Sequence, residues 1–197
     1  MSPLASGDIR NAVKTVACLP KEYKQPVSLV LNDRDFDIVA RNLIMLLLTL
    51  DAKDTDQTLD TIIHIWYSAK IQLSHLYYLQ SRIRPLLQEV CKEIANKPDG
   101  TLLGKTWTFG SQSLRLTLPR EKWMLLPSYL EIPDGLSLSQ ANDIRKATTL
   151  AYERRDYRDR NTFLQRPPHR VCIQRFREER ILLPFSLSRH EFNNPNP

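Results

Sequence analysis

The sequence predicts an α/β fold, a partial Rossmann-like parallel sheet interrupted by a large, mainly helical insertion that carries a small β-hairpin. Three observations lead there. PVSLVL, residues 26–31, is β-branched and apolar without alternation, as a strand buried on both faces of a parallel sheet should be. It lies between two stretches whose apolar residues recur at helical spacing, so the order reads as a strand stub, helix, strand, helix, the opening of a βαβα unit. Further on, TWTFGSQSLRLTL alternates about a Gly-Ser turn, which predicts a hairpin near 106–118. The chain divides as one domain, with a Rossmann-like start over 1–50, the helical insertion over 51–150, and an arginine-rich segment, helix and polar tail over 151–197.

Each element has its own signal. In IRNAVKTVACL, Ile9, Val13, Val16 and Ala17 repeat at helical spacing behind Asp8 as N-cap, and Pro20 stops the helix. After the expected strand, DFDIVARNLIMLLLTL places Phe36, Val39, Ala40, Leu43, Leu46, Leu47 and Leu50 on a wide apolar face. DTDQTLDTIIHIWYSAK puts Leu59, Ile62, Ile63 and Trp66 on one side of the next helix. LYYLQSRIRPLLQEVCKEI does the same with Leu76, Leu79, Ile83, Leu87, Val90 and Ile94, and Pro85 should kink or restart it. PREKWMLLPSYL reads as a short helix cut at Pro127, and Ser137 with Gln140 forms a capping box for LSQANDIRKATTLA. ERRDYRDRNTFLQRPP reads as a charged irregular connector, with a solvated helix as the alternative. Pro167 and Pro168 then open a helix with Val171, Cys172, Phe176 and Ile181 as its buried side. Met1 to Ser6 is too short to cross a sheet and carries Pro3, and HEFNNPNP is too polar and Pro-rich to close a fold. The sequence is therefore expected to be an incomplete domain that starts late and lacks later strands.

Composition narrows the function classes. Five glycines against thirteen prolines are a poor supply for phosphate loops, and no P-loop or GxGxxG occurs. Cys18, Cys91 and Cys172 are too scattered for a metal site or a disulfide set, so reduced thiols in a cytoplasmic or nuclear protein are expected. The longest apolar run, Leu43 to Leu50, falls far short of the ~20 residues a membrane span needs. Net charge is +6. Residues 151–180 carry nine arginines against five acids, so the basic character is mainly local.

Six blocks in order, SGDIRNAVKTVACLP, LVLNDRDFDIVARNLIMLLL, IIHIWYSAK, LGKTWTFG, KATTLAYERRDYRDR and PPHRVCIQRFREERILLPF, together closely resemble a fungal family whose shared domain is named only as a domain of unknown function. That domain is similar to the N-terminal part of dynein axonemal assembly factor 3 and is often joined to a MYND zinc finger, which three scattered cysteines cannot form here. The resemblance implies a methyltransferase-like fold. In it a glycine-bearing turn receives the methionine part of S-adenosylmethionine and an acid at the end of the next strand holds its ribose. Gly7 and Asp8 match the first position and Asp33 the second, although the turn has a single glycine.

Asp33 thus has two readings, a ribose ligand or a helix cap. Capping or solvation is preferred, because Asp35 could cap as well and the cluster holds more acid than one cap requires. His64 has one local carboxylate, Asp60, four residues earlier, and a packed, hydrogen-bonded histidine is the preferred reading. The arginine cluster could track phosphates, with Tyr152, Tyr157 and Phe163 to stack bases, but the interleaved acids favour intramolecular pairs such as Asp156 with Arg160. No nucleophile motif or metal set is present. The sequence therefore reads as a protein-interaction or assembly module, with an S-adenosylmethionine-dependent methyltransferase second and nucleic-acid binding third. Its expected partner is a protein, with neither membrane nor metal. S-adenosylmethionine is the cofactor that only the resemblance implies.

Overall fold

The helices begin where polar caps put them. Asp35 accepts from the Asp37 amide at 3.0 Å and opens α2 (Phe36–Leu50), and Asp54 accepts from the Asp56 and Gln57 amides to open α3 (Thr55–Tyr67). Before them stands α1 (Arg10–Ala17). The computed structural model describes Gly7, residues 9–184 and residues 186–197, without the side chain of Arg154. Asp8, expected to cap α1, lies outside the described residues.

After α3 come β1 (Lys70–Ile71), α4 (Leu73–Tyr78), a π-helical turn over Leu79–Ile83 and α5 (Arg84–Ile94). The restart expected at Pro85 takes this form. Proline has no amide to donate and its ring crowds the carbonyl four residues back, so the preceding turn widens and the Arg84 amide reaches the Leu79 carbonyl. The hairpin is longer than expected. β2 (Leu102–Phe109) pairs antiparallel with β3 (Gln112–Pro119), Trp107 opposite Leu114, and Gly110 turns the corner at φ +60°. α6 (Arg120–Leu125) runs into a 3₁₀ turn, Leu126–Leu130, and α7 (Leu138–Thr149) starts at the expected Ser137–Gln140 capping box. A 3₁₀ turn, α8 (Arg155–Phe163), α9 (Pro167–Glu179) and β4 (Asn194–Pro195) complete the order.

The main core lies between α2, the π turn with α5, one face of the hairpin, and α6 with its 3₁₀ extension. Leu43, Leu47 and Leu48 of α2 meet Leu79, Ile83, Leu87 and Val90, and Trp123 closes the layer. Trp123 sits 5.9 Å from Trp107, ring to ring, and donates its Nε1–H to the Leu103 carbonyl at 3.0 Å. A second group, α7, α8 and α9, meets the first through α7, β1 and β4.

The fold is mixed α/β, but its described strands form only two antiparallel pairs, β1 with β4 and β2 with β3. The parallel sheet expected at the start is not among the described residues. Residues 26–33 are neither helix nor strand, and residues 21–32 are all exposed. Among the described residues no strand lies beside them to complete a ladder, so a β-branched composition alone does not make a strand. Three further expectations are corrected. ERRDYRDRNTFLQRPP is mostly the solvated helix α8. Of the face of α9 read as buried, Val171 and Cys172 are exposed and Phe176 is half-buried, while Ile181, just past the helix, is buried as expected. The tail closes onto the fold, because β4 pairs with β1 and Phe192 is buried.

Candidate functional site

Gly7 and Asp33, 26 residues apart, are in direct contact. Asp33 Oδ2 accepts from the Gly7 amide at 2.7 Å, and Oδ1 accepts from the Asp35 amide at 3.0 Å. The Gly7 carbonyl in turn accepts from Asn42 Nδ2 at 2.8 Å, so the two backbone groups of Gly7 are held by one residue just before α2 and one in its second turn. Gly7 has φ +56°, a conformation side-chain-bearing residues rarely adopt. The Asp35 amide first, then that of Gly7, hold the Asp33 carboxyl below its usual range. The capping role weighed for Asp33 falls to Asp35. Asp33 is instead a clamp that ends the exposed segment before α2.

That segment carries the apolar residues the sequence had assigned to a buried strand. Val27, Leu29 and Leu31 are exposed, and Val30 is 88% exposed. No backbone hydrogen bond joins residues 24–31 to any described residue outside their own segment. Val13 and Val16 of α1 are also exposed, so the N-terminal part presents apolar side chains from two elements.

Elsewhere, a cavity of about 340 Å³ opens between α2, α3 and α7. Ile38, Ile44, Ile65, Trp66 and Ile144 give it apolar walls, and Arg41 and Arg145 bring charge. Arg145 Nη2 donates to the Trp66 and Ser68 carbonyls at 3.1 and 3.2 Å, answering the open C-terminus of α3. Burial, then the charges of Arg41 and Arg180, lower its pKa. At the rim Tyr129 donates its hydroxyl to Asp37, and burial followed by that bond pushes the phenol up to about 12. Neither Gly7 nor Asp33 lines this cavity.

The buried face of α3 is Thr58, Thr61 and His64, whereas Leu59 and Ile63, read as core, are exposed. His64 meets Asp60 at 3.4 Å, as the spacing suggested, and its Nδ1 lies 2.9 Å from Ser68 Oγ. The sequence did not foretell His75, which stacks on His64 with centroids 5.1 Å apart and whose Nε2 is 2.7 Å from Asp60. Phe192 covers both rings. Ser68, His64 and Asp60 share the connectivity of a catalytic triad, but Ser68 is fully buried and its Oγ accepts from the Leu182 amide at 3.1 Å. No carbonyl substrate reaches it, and the chain of bonds serves to lock α3 to the C-terminal segment.

Among the described residues no three His, Cys, Asp or Glu side chains group as metal ligands, and no helix is long and apolar enough to cross a membrane. Three exposed aromatics flank the arginine segment, Tyr152, Tyr157 and Phe163. Its ion pairs join Arg155 and Arg158 to Asp159 at 3.8 Å, and Arg175 and Arg189 to Glu179, rather than Arg160 to Asp156.

A family model described as a domain of unknown function (DUF4470) matches residues 2–71 of the 197. The match takes in the Gly7–Asp33 clamp, the exposed segment, α2 and α3, and stops before the hairpin and the arginine region. It supports the unknown-function domain in the resemblance, while the fungal source, the assembly-factor likeness and the MYND association rest on the quoted blocks. No curated protein and no solved structure matches the chain.

Proposed function

We propose that the chain is a protein-interaction or assembly module, acting in the cytoplasm or nucleus, whose docking element is the segment Pro26–Leu31. The observation that carries this is the exposure of four apolar residues, Val27, Leu29, Val30 and Leu31, in a segment with no backbone hydrogen bond to another described residue, fixed at one end by the clamp on Asp33. Such a segment is a template for a strand from another chain, with main-chain bonds giving affinity and alternate side chains giving selectivity. The methyltransferase-like sheet implied by the resemblance would then be completed between chains.

Amide hydrogen exchange on the tagged chain, isolated and within the assembly it enters in cells, tests the reading. Protection of the Val27–Leu31 amides only in the assembly is expected, with loss of assembly in Val30→Pro, which removes one donor. Equal exchange in both samples, or an assembly indifferent to Val30→Pro, would refute it.

A second reading, an S-adenosylmethionine-dependent methyltransferase, is favoured by one observation: the two positions matched to the cofactor touch each other at 2.7 Å. Ribose hydroxyls would have to replace the Gly7 amide on Asp33, and methyl transfer could then proceed by positioning alone. Calorimetric titration with S-adenosylmethionine, beside Asp33→Ala, decides it. Micromolar binding lost in the variant supports the enzyme, and no heat from the folded chain removes it.

A further inference from the structure

Around the turn from α8 into α9, every residue from Phe163 to Cys172 except Gln165 is exposed. Phe163 is 73% and Leu164 80% exposed, two adjacent large apolar side chains where α8 ends, and Val171 follows in the second turn of α9 at 53%. A single exposed apolar residue is ordinary, whereas an adjacent pair on a projecting turn marks a contact surface. The turn is also held in shape. Arg170 Nε donates to the Gln165 carbonyl at 2.8 Å and its Nη2 to the Phe163 carbonyl at 2.9 Å, while the guanidinium carbon lies 5.3 Å from the centre of the Phe163 ring. Pro167 and Pro168 fix the backbone where α9 begins. Phe163 and Leu164 are therefore carried on a pre-formed turn, and contact costs little further ordering.

The charge beside this pair has one sign. Between Asp159 and Glu178 the sequence holds five arginines, His169 and no acid. Arg175 pairs with Glu179 at 2.9 Å, and Arg177 donates to Thr162 Oγ1 at 2.8 Å. The acids on either side, Asp159 and Glu179, face Arg155, Arg158, Arg175 and Arg189. Arg160, Arg166 and Arg170 are left exposed, and none of the three has a carboxylate partner among the described residues.

We propose that the α8–α9 turn docks the protein on the surface of an anionic lipid bilayer, with Phe163 and Leu164 entering the interface and Arg160, Arg166 and Arg170 meeting the lipid headgroups. The proposal does not depend on the Pro26–Leu31 segment. Apolar side chains flanked by cations match such an interface, because the hydrocarbon sinks to the acyl boundary while the guanidinium groups stay among the anionic heads. A nucleic acid would satisfy the arginines but offer its bases to Leu164 and Val171, which have no ring to stack. An acidic protein segment would satisfy the same charges and leave the Phe163–Leu164 pair wet. Surface binding needs no spanning helix, so the expectation of no membrane, drawn from the short apolar runs, is confined to spanning.

The test is co-sedimentation of the full chain with sucrose-loaded vesicles, made either of phosphatidylcholine alone or of a mixture with about three tenths phosphatidylserine. The chain should pellet with the mixed vesicles and stay in solution with phosphatidylcholine, and added salt should weaken the binding. Replacing the apolar pair together, Phe163→Ser with Leu164→Ser, should lower partitioning by about tenfold or more. Arg160→Gln and Arg166→Gln should each lower it by about fivefold. All four side chains are exposed, so the unfolding temperature of these variants should match that of the wild type, which separates lost docking from lost folding. Absence of binding to the mixed vesicles, equal binding to both kinds, or binding that the paired serine variant leaves unchanged would overturn the proposal. So would binding of poly-glutamate or of a single-stranded oligonucleotide by a chain that ignores vesicles.

Discussion

Asp33 shows how little a residue type says until its partners are known. A carboxylate at the end of an apolar run is as fit to hold a ribose as a backbone amide, and here its two oxygens take the amides of Gly7 and Asp35. Gly7 was singled out only through the resemblance, as a glycine-bearing turn; its φ of +56° and its two jaws, Asn42 and Asp33, were not legible. Gly7→Ala is expected to cost about 1 kcal/mol through that backbone angle alone, measured by urea unfolding without any ligand. His64 gives the pH prediction. Burial first, and the charge of neighbouring His75, lower its pKa, while Asp60 opposes them; Ser68 and Phe192 add no charge. The unfolded chain therefore binds a proton at His64 before the folded one does. The stability His64 supplies is full above the ordinary histidine value near 6.5 and is lost as pH falls below it, with a slope of at most about 1.4 kcal/mol per pH unit. Unfolding free energies of the wild type and His64→Gln between pH 7.5 and 5 check this, and equal slopes would sink it.

Among the elements, periodicity was dependable where a helix buries hydrocarbon and misleading where it buries hydrogen bonds. In α5 the expected Leu87, Val90 and Ile94 are the buried side. In α3 the apolar stripe is partly outside, because Thr58 and Thr61 turn their hydroxyls back onto the Asp54 and Gln57 carbonyls and enter the interior already satisfied. Leu59→Lys and Ile63→Lys should each change stability by no more than about 0.5 kcal/mol, whereas a larger loss would mean the stripe is covered. The end of α3 was equally hidden in the sequence. Arg145 reaches the Trp66 and Ser68 carbonyls, and Asn196 Nδ2 lies within 2.8–3.3 Å of those of His64, Ile65 and Ser68. Helix-terminal carbonyls need donors, but a sequence does not say that they come from 79 and 128 residues away. Asn196→Ala should cost about 1–3 kcal/mol by denaturant unfolding, since it takes away the donor of the Ile65 carbonyl, whereas the His64 and Ser68 carbonyls keep the Ser68 amide and Arg145.

At the scale of the whole molecule the tail decides how the two helical groups unfold. The main core of α2, α5, the hairpin and Trp123 makes no use of residues 190–197. The junction does: β4 pairs with β1, Phe192 seals the two histidine rings, and Asn196 completes the end of α3. The polar, Pro-rich composition read as unable to close a fold closes this one because asparagine amides supply donors that carbonyls at a helix end lack. Deleting residues 190–197 should thus act unevenly. Amide protection is expected to fall in the last turn of α3 and in β1, with α7 loosening next through its contacts to β1 and β4. Amides of α5 and of the β2–β3 ladder should keep their protection, because local opening follows the contacts that are lost. Hydrogen exchange followed residue by residue on the shortened chain gives the answer. Equal loss of protection in the hairpin and in α3 would mean that the two groups fold as one cooperative unit, and that the core does depend on the tail.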